Sequence, residues 1–249
     1  TSIENIHKVI DPLFLDDLKV ELNKIRQFKQ YKIIEQKAKQ FQEKLSSLTF
    51  FDPACGSGNF LTETYISLRR LENEAIKLYM GDAVALDVGQ DLVKVKLNQF
   101  YGIEINDFAV SVAKTALWIA ESQMLEETKD IVFSNIDFLP LKSYTNIVEG
   151  NALEIDWKTV VPKDKLSYII GNPPFIGARL MSKEQKNSLL SVFDGHNGVG
   201  NLDFVCGWYI NCAKIMKDSS IEAALVSTNS ITQGEQASIL WKILIEEFD

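Results

Sequence analysis

The sequence predicts an α/β fold: a mostly parallel sheet with helices on both faces, preceded by an N-terminal helical arm and missing the terminal antiparallel strands that finish many such sheets. Three observations predict it. From residue 48 onward, short apolar runs alternate with longer stretches of helical spacing, which is how strand-helix units of a parallel sheet read. Before that point, neither Gly nor Pro interrupts the chain between Leu13 and Leu48. The 249 residues, 46% of them hydrophobic, are enough for one sizeable core. The expected organisation is an arm over 1–47 and a core over 48–249 that is incomplete at its C-terminus.

In the arm, Leu18, Leu22, Ile25, Phe28, Ile33, Ile34, Phe41 and Leu45 recur close to helical spacing, so one or two amphipathic helices are expected. Between positions 19 and 44 eight basic residues face three acids, a local charge of about +5. Such a stretch is either the solvated face of a packing helix or a phosphate-contacting surface. Strands are then expected at 48–52, 100–105, 147–149, 166–170 and 221–227, and helices at 59–78, 107–125, 201–217 and 232–248. The segment 81–98 ends in a Val-Lys-Val-Lys alternation and reads as an inserted hairpin or edge strand. The run DGHNGVGN over 194–201 reads as a mobile surface loop.

Charge and cysteine usage narrow the function classes. The net charge of -8 argues, at first sight, against a nucleic-acid partner. No apolar run approaches the roughly 20 residues that span a bilayer, so no membrane role is expected. Cys55, Cys206 and Cys212 are too few and scattered for a disulfide framework, and no Cys or His spacing offers a metal site. A reducing, cytoplasmic setting fits. The chain begins at Thr1 without a charged-then-apolar leader, and is expected to be a piece of a longer polypeptide.

Four strand ends carry the chemistry. The first runs into Asp52-Pro53-Ala54-Cys55-Gly56-Ser57-Gly58-Asn59-Phe60, a Gly-x-Gly turn that lets a ligand approach the backbone where a helix start offers free N–H groups. A dinucleotide fingerprint would place a third Gly where Leu61 stands, and a carboxylate at Asp52 would repel a pyrophosphate. It would attract an ammonium or sulfonium, so a cationic, amino-acid-like cofactor fits better. The second strand ends at Glu104-Ile105-Asn106, and a carboxylate there can accept two ribose O–H bonds. The third ends at Gly150-Asn151-Ala152, where Asn151 can bond an adenine edge or serve as a turn residue. The fourth delivers Gly171-Asn172-Pro173-Pro174-Phe175. Asn172 supplies a side-chain acceptor, the two prolines stiffen the chain and turn carbonyls outward without competing N–H groups, and Phe175 offers a flat face. Methylation of an exocyclic amine needs that set: acceptors for the two N–H bonds and a ring to stack on.

These residues resemble the class I S-adenosylmethionine-dependent amino-methyltransferases of DNA adenine, a Rossmann-like fold. FDPACGSGNF is similar to their motif I, YGIEIN to motif II, EGNALEID to motif III, GNPPF to motif IV, NLDFVCGWY to motif V and ALVSTNSITQG to motif VI. The spellings DPACGSGNFL, GNPPFIGARLMS and LVSTNSITQGEQ resemble the MmeI-like enzymes of types IIG and IIL, in which nuclease, methyltransferase and target-recognition parts share one chain.

The resemblance implies roles. Asp52, Pro53, Ala54, Gly56, Gly58, Asn59 and Phe60 would form the methionine end of the S-adenosyl-L-methionine site, Glu104 would hold the ribose and Ile105 would pack on the adenine. Asn151 and Ala152 would meet the adenine edge, although many relatives carry Asp in place of Asn151. Asn172, also adjoining the cofactor, and the Pro173 carbonyl would grip the target amine, with Pro174 stiffening the turn and Phe175 stacking on a flipped adenine. Asp203 and Trp208 fall in motif V, where Trp208 reads equally as pocket wall or helix core. Asp11 to Leu18 resemble motif X faintly. No metal and no covalent nucleophile are implied, and the three thiols read as structural. Double-stranded DNA is the expected partner, contacted largely through segments outside this chain. Rival readings are amino-methylation of cytosine, of an RNA guanine or of a protein glutamine, and a non-catalytic DNA- or cofactor-binding module.

Overall fold

A computed structural model describes residues 1–80, 92–132 and 146–248. The N-terminal segment forms α1 (Ile3–Ile10), a π-helical turn over Asp11–Leu15, α2 (Asp16–Arg26) and α3 (Tyr31–Ser47). Pro12 cannot donate the hydrogen bond that an unbroken α-helix would require of it, and the helix widens there. Strand β1 (Phe50–Asp52) follows, then α4 (Asn59–Met80), β2 (Phe100–Glu104), α5 (Asp107–Val132), β3 (Asn146–Glu149), β4 (Tyr168–Gly171), α6 (Lys183–Val192), α7 (Cys206–Met216), β5 (Glu222–Leu225) and α8 (Gly234–Phe248).

The five strands pair in the order β3-β2-β1-β4-β5, and every pairing is parallel. From β1 the chain builds outward to β2 and β3 on one side, then crosses back to lay β4 against β1 and β5 beyond it. The crossover makes the β1–β4 boundary a topological switch point, where a crevice opens at the carboxyl ends of an α/β sheet. Side-chain alternation assigns the two faces. Phe50 is buried with Ile6, Ile10, Phe14, Phe41 and Leu45 of the N-terminal helices, and its ring stacks on Phe100 with centroids 5.4 Å apart. Phe51 points the other way, into a cluster with Trp157, Leu189, Trp208 and Leu240. Each such aromatic side chain, fully withdrawn from water, contributes about 1.5–3 kcal/mol.

Four expectations from sequence are modified. Helix α5 runs on to Val132, because the residues after Leu125 include helix formers and no breaker. Helix α6 is additional, announced by a capping box in which the Ser182 hydroxyl accepts from Gln185 N while the Gln185 side chain accepts from Ser182 N. The expected edge strand at Val93 to Lys96 does not form. The N–H groups of Lys94 and Val95 both donate instead to Glu72 Oε1, at 2.6 and 3.1 Å, so they are not available to a ladder. The remainder of that expected insertion, 81–91, lies outside the described residues. Within 194–201, Val199–Asn201 form a 3-10 turn, and His196 pairs with Glu247 at 2.8 Å.

Glu72 belongs to a buried polar network behind the sheet. It pairs with Arg69, both fully withdrawn from solvent, and accepts from Gln42 Nε2 at 2.7 Å. Arg69 also donates to Thr128 Oγ1 at 2.8 Å, so α3, α4 and α5 are fixed to one another through one ion pair.

Four of the eight basic side chains in the arm's basic stretch pair with acids within the molecule. Lys19 pairs with Asp11 and Asp16, Arg26 with Glu74, Lys39 with Glu35 and Lys44 with Glu21. The solvated-face reading describes these side chains, and each exposed pair contributes at most about 1 kcal/mol. Among the described residues, no helix is long and apolar enough to cross a membrane.

Candidate active site

The crevice at the switch point is a cleft of about 460 Å³, within the range of roughly 300–1,000 Å³ that small-molecule sites occupy. Its walls gather the ends of β1, β2, β3 and β4 with helices α6 and α7. Pro53 and Ala54 follow β1, Glu104 and Ile105 stand at the end of β2, Asn151 and Ala152 follow β3, Asn172 and Pro174 follow β4, Phe204 precedes α7 and Trp208 lies in its first turn. Eight of the residues expected from sequence therefore line one cavity. Asp52, Gly56, Gly58, Asn59, Phe60, Pro173 and Phe175 are not among its walls.

Asp52 lies directly behind the wall, 1% exposed, with Oδ1 accepting from Ala54 N at 2.9 Å. Burial pushes its carboxyl up to about 7, opposed by the Ala54 N–H and reinforced by the negative charge of Glu104. The backbone of β4 passes so close that a Cβ on Gly171 would sit 2.5 Å from Asp52 Oδ1. Glycine at 171 is required by that approach. Gly58, at φ +81°, is hemmed in by Ala113 of α5, where a Cβ would lie 3.0 Å from the alanine Cβ, whereas Gly56, at φ +53°, faces open space. Phe60 is buried in the core, so its side chain anchors α4.

Glu104 ties the strand ends together. Its Oε2 accepts from Gly56 N at 3.0 Å and its Oε1 from Asn106 N at 2.9 Å, so the carboxylate braces the glycine turn across the β1–β2 boundary while one edge faces the cleft. Ile105 beside it is 69% exposed. An apolar side chain left in water at the mouth of a cleft is a ready contact for a flat ligand.

At the end of β4, Asn172 Oδ1 is buried with no hydrogen-bond partner among the described residues, while Nδ2 donates to Thr1 Oγ1 at 3.1 Å. A buried acceptor left without a partner costs about 1–3 kcal/mol. Pro173 is buried, Pro174 and Phe175 are exposed, and the Phe175 ring stands 44% in solvent. The turn is anchored beyond Phe175, where Ile176 O accepts from Phe204 N at 2.9 Å.

Trp208, open between two roles from sequence, takes both. It is buried, meets Phe204 edge-on at 5.2 Å, lines the cleft, and donates its indole N–H to Pro53 O at 3.1 Å. Asp203 faces the segment after β5, accepting from Ser230 Oγ at 2.6 Å and Gln236 Nε2 at 3.2 Å. The thiols are held protonated, since burial pushes Cys206 up to about 12 and raises Cys55 and Cys212 further.

Asn151 lines the cleft and is also bonded within the turn after β3. Its Oδ1 accepts from Leu153 N at 3.0 Å, and its Nδ2 donates to Glu154 Oε1 at 2.9 Å and to Ser188 Oγ at 3.2 Å. Glu154, Glu184, Gln185, Ser188 and Ile176 are cleft walls to which the sequence reading assigned no role. The capping box at Ser182 marked α6, and with it three of these five. Glu154 meets Asn151 only because the chain turns just after β3.

Residues 28–248 match the family model described as the DNA-methyltransferase domain of MmeI. The chain is 41% identical over 252 residues to DNA methyltransferase A of Bacillus subtilis (strain 168), covering 99% of this chain and 27% of that protein. It is also similar to the solved structure of the type IIL restriction-modification enzyme MmeI in complex with DNA, with a TM-score of 0.92 and 43% identity, covering 99% of this chain and 32% of that one. The chain thus spans about a quarter to a third of the length of these relatives. With matches of this extent in both sequence and structure, the chain belongs to the MmeI DNA-methyltransferase domain family.

Proposed function

We propose that this chain is the modification part of a larger restriction-modification enzyme, and that it transfers a methyl group from S-adenosylmethionine to the 6-amino group of an adenine flipped out of duplex DNA. One observation carries the reading: the buried, unpartnered Oδ1 of Asn172, held on a Pro-Pro-aromatic turn at the rim of a cleft that also contains Glu104. An acceptor kept dry and without a partner is matched to a donor brought by a substrate, and an exocyclic amine is such a donor.

The residues fit S-adenosylmethionine. The cleft has the volume for it, Glu104 can accept from ribose hydroxyls, Ile105 and Ala152 offer apolar contact to a purine, and Asp52 places a carboxylate behind the methionine end. When bound, the cofactor supplies an electrophilic methyl on a sulfonium. The protein then works by position. Asn172 Oδ1 and the Pro173 carbonyl accept from the amine, favouring its passage from planar toward tetrahedral as its lone pair is drawn out of the ring. Phe175, exposed at the rim, stacks on the base. No covalent nucleophile is required, in keeping with the raised thiols.

DNA as substrate is supported by family membership, and double-stranded DNA is the partner proposed for the whole enzyme, bound largely through segments beyond this chain. Adenine rather than cytosine is supported by Asn ahead of Pro-Pro, since Ser-Pro-Pro is commoner in cytosine amino-methyltransferases. A cytoplasmic setting and the division into an arm over 1–47 and a core over 48–249 belong to the same proposal. The test is Asn172→Ala in the full-length enzyme, which is expected to lose methyl transfer to duplex DNA while binding S-adenosylmethionine within a few-fold of the parent. Normal turnover in that variant would overturn the assignment, and transfer to release-factor peptide or ribosomal RNA but not to DNA would overturn the substrate.

A further inference from the structure

Asn151 is the residue expected to read the cofactor's adenine, yet its side-chain amide is committed at both ends. The oxygen is folded back on Leu153 N, and the NH2 group donates to Glu154 Oε1 and Ser188 Oγ. Rotating the amide by half a turn would set its oxygen against a carboxylate and its NH2 against an N–H, so chemistry fixes the orientation. What Asn151 presents toward Glu154 is a donor, and the 6-amino group of adenine is a donor too. The NH2 group cannot pair with it, and Asn151 Oδ1 has only the one lone pair that Leu153 N leaves free.

The arrangement supplies a different acceptor. Glu154 is held by two groups: Asn151 Nδ2 and Ser188 Oγ both donate to its Oε1, at 2.9 and 2.6 Å, and Ser188 is itself fixed to the first turn of α6 through Glu184 O at 3.1 Å. Its second oxygen, Oε2, receives no hydrogen bond among the described residues, and Glu154 lines the cleft beside Ala152 and Ile105. The Ala152 N–H likewise has no acceptor among the described residues. Adenine offers an amine that donates and, next to it, a ring nitrogen that accepts. A carboxylate oxygen and a backbone N–H two residues apart on one turn are the complementary pair.

We propose that Glu154, positioned by Asn151 and Ser188, accepts the 6-amino group of the cofactor's adenine, and that Asn151 serves as the brace that aims it. This rests on the reading of the cleft as an S-adenosylmethionine site. It makes Glu154 a determinant of cofactor specificity, because a 6-oxo purine would bring a carbonyl against the carboxylate and an N–H against the Ala152 N–H.

Calorimetric titration with S-adenosylhomocysteine and its 6-oxo analogue S-inosylhomocysteine tests this without requiring turnover. The parent protein is expected to prefer the adenosyl compound by about a hundredfold or more, as sites built to hydrogen-bond a polar group do. Glu154→Ala is expected to weaken the adenosyl compound by about tenfold or more, to leave the inosyl compound unweakened, and so to narrow the preference by at least tenfold. Glu154 is exposed on a turn, so the fold is expected to survive, which an unchanged thermal melt would establish. A Glu154→Ala protein that kept the parent's preference within twofold would overturn the assignment and leave the cofactor reading standing. A parent protein that bound neither compound would overturn both.

Discussion

The indole N–H of Trp208 donates to the main-chain oxygen of Pro53 at 3.1 Å, joining the first turn of α7 to the turn after β1 across the floor of the cleft. The bond spans 155 positions of sequence and fixes the wall against which the methionine end of a cofactor would lie. Trp208→Phe keeps an apolar ring there but leaves the Pro53 carbonyl without its buried donor. The expected result is a folded protein whose affinity for S-adenosylmethionine, by calorimetry, falls by about tenfold, corresponding to about 1–2 kcal/mol.

Asp52 gives the cleft a pH dependence. A carboxyl pushed up to about 7 is charged above that pH and neutral below it, and only the charged form attracts a cation. Affinity for S-adenosylmethionine is therefore expected to rise about tenfold between pH 6 and pH 8, with net proton release on binding near neutral pH. Asp52→Asn should flatten the profile. The sign for stability is opposite. A carboxyl whose folded-state value is raised contributes stability that is present below about 4 and lost as the pH rises toward 7, so Asp52→Asn should raise the unfolding free energy at pH 8, by at most about 4 kcal/mol. Urea titrations of both proteins at pH 5 and pH 8 measure this.

Gly171 allows the β4 backbone to pass against Asp52, and an added methyl would sit 2.5 Å from Oδ1 and 3.0 Å from Cγ. Asp52 is buried and cannot turn away cheaply. Gly171→Ala is expected to cost about 1–3 kcal/mol in denaturant unfolding and to weaken cofactor binding at the same time, because both strand ends must shift.

The Arg69–Glu72 pair is a structural element remote from the cleft. Glu72→Leu removes the acceptor for Arg69, Gln42 and the N–H groups of Lys94 and Val95 at once. A loss of about 3–5 kcal/mol is expected, since a charge is left buried without a partner. An unfolding midpoint within error of the parent's would contradict the account of that network.

The parts of this molecule that the sequence disclosed are those whose chemistry is local. Strand ends carrying Asp52, Glu104, Asn151 and Asn172 were legible because apolar runs stop at residues with distinctive hydrogen-bonding roles, and the structure brings Glu104, Asn151 and Asn172 to one cavity with Asp52 just behind it. Long-range pairings were not legible. The alternation at Val93 to Lys96 imitates a strand, and nothing nearby in sequence indicates that Glu72 takes its N–H groups. Trp208 could not be assigned from its helix alone, because its partner is a carbonyl in another motif. Phe28 fits the apolar period of the arm but is 42% exposed, since α2 ends at Arg26 and the stripe breaks with it. Which basic side chains of the arm are paired was not legible either, because Glu74, the partner of Arg26, lies on α4 and is brought there by the fold.

The central claim, adenine amino-methylation through Asn172, is tested most directly by modified-base sequencing of genomic DNA from cells carrying the full-length gene or its Asn172→Ala variant. The account predicts N6-methyladenine at one defined sequence motif with the parent gene and its absence with the variant. Methylated cytosine at the motif, no methylated base at all, or adenine methylation that persists in the variant would contradict it.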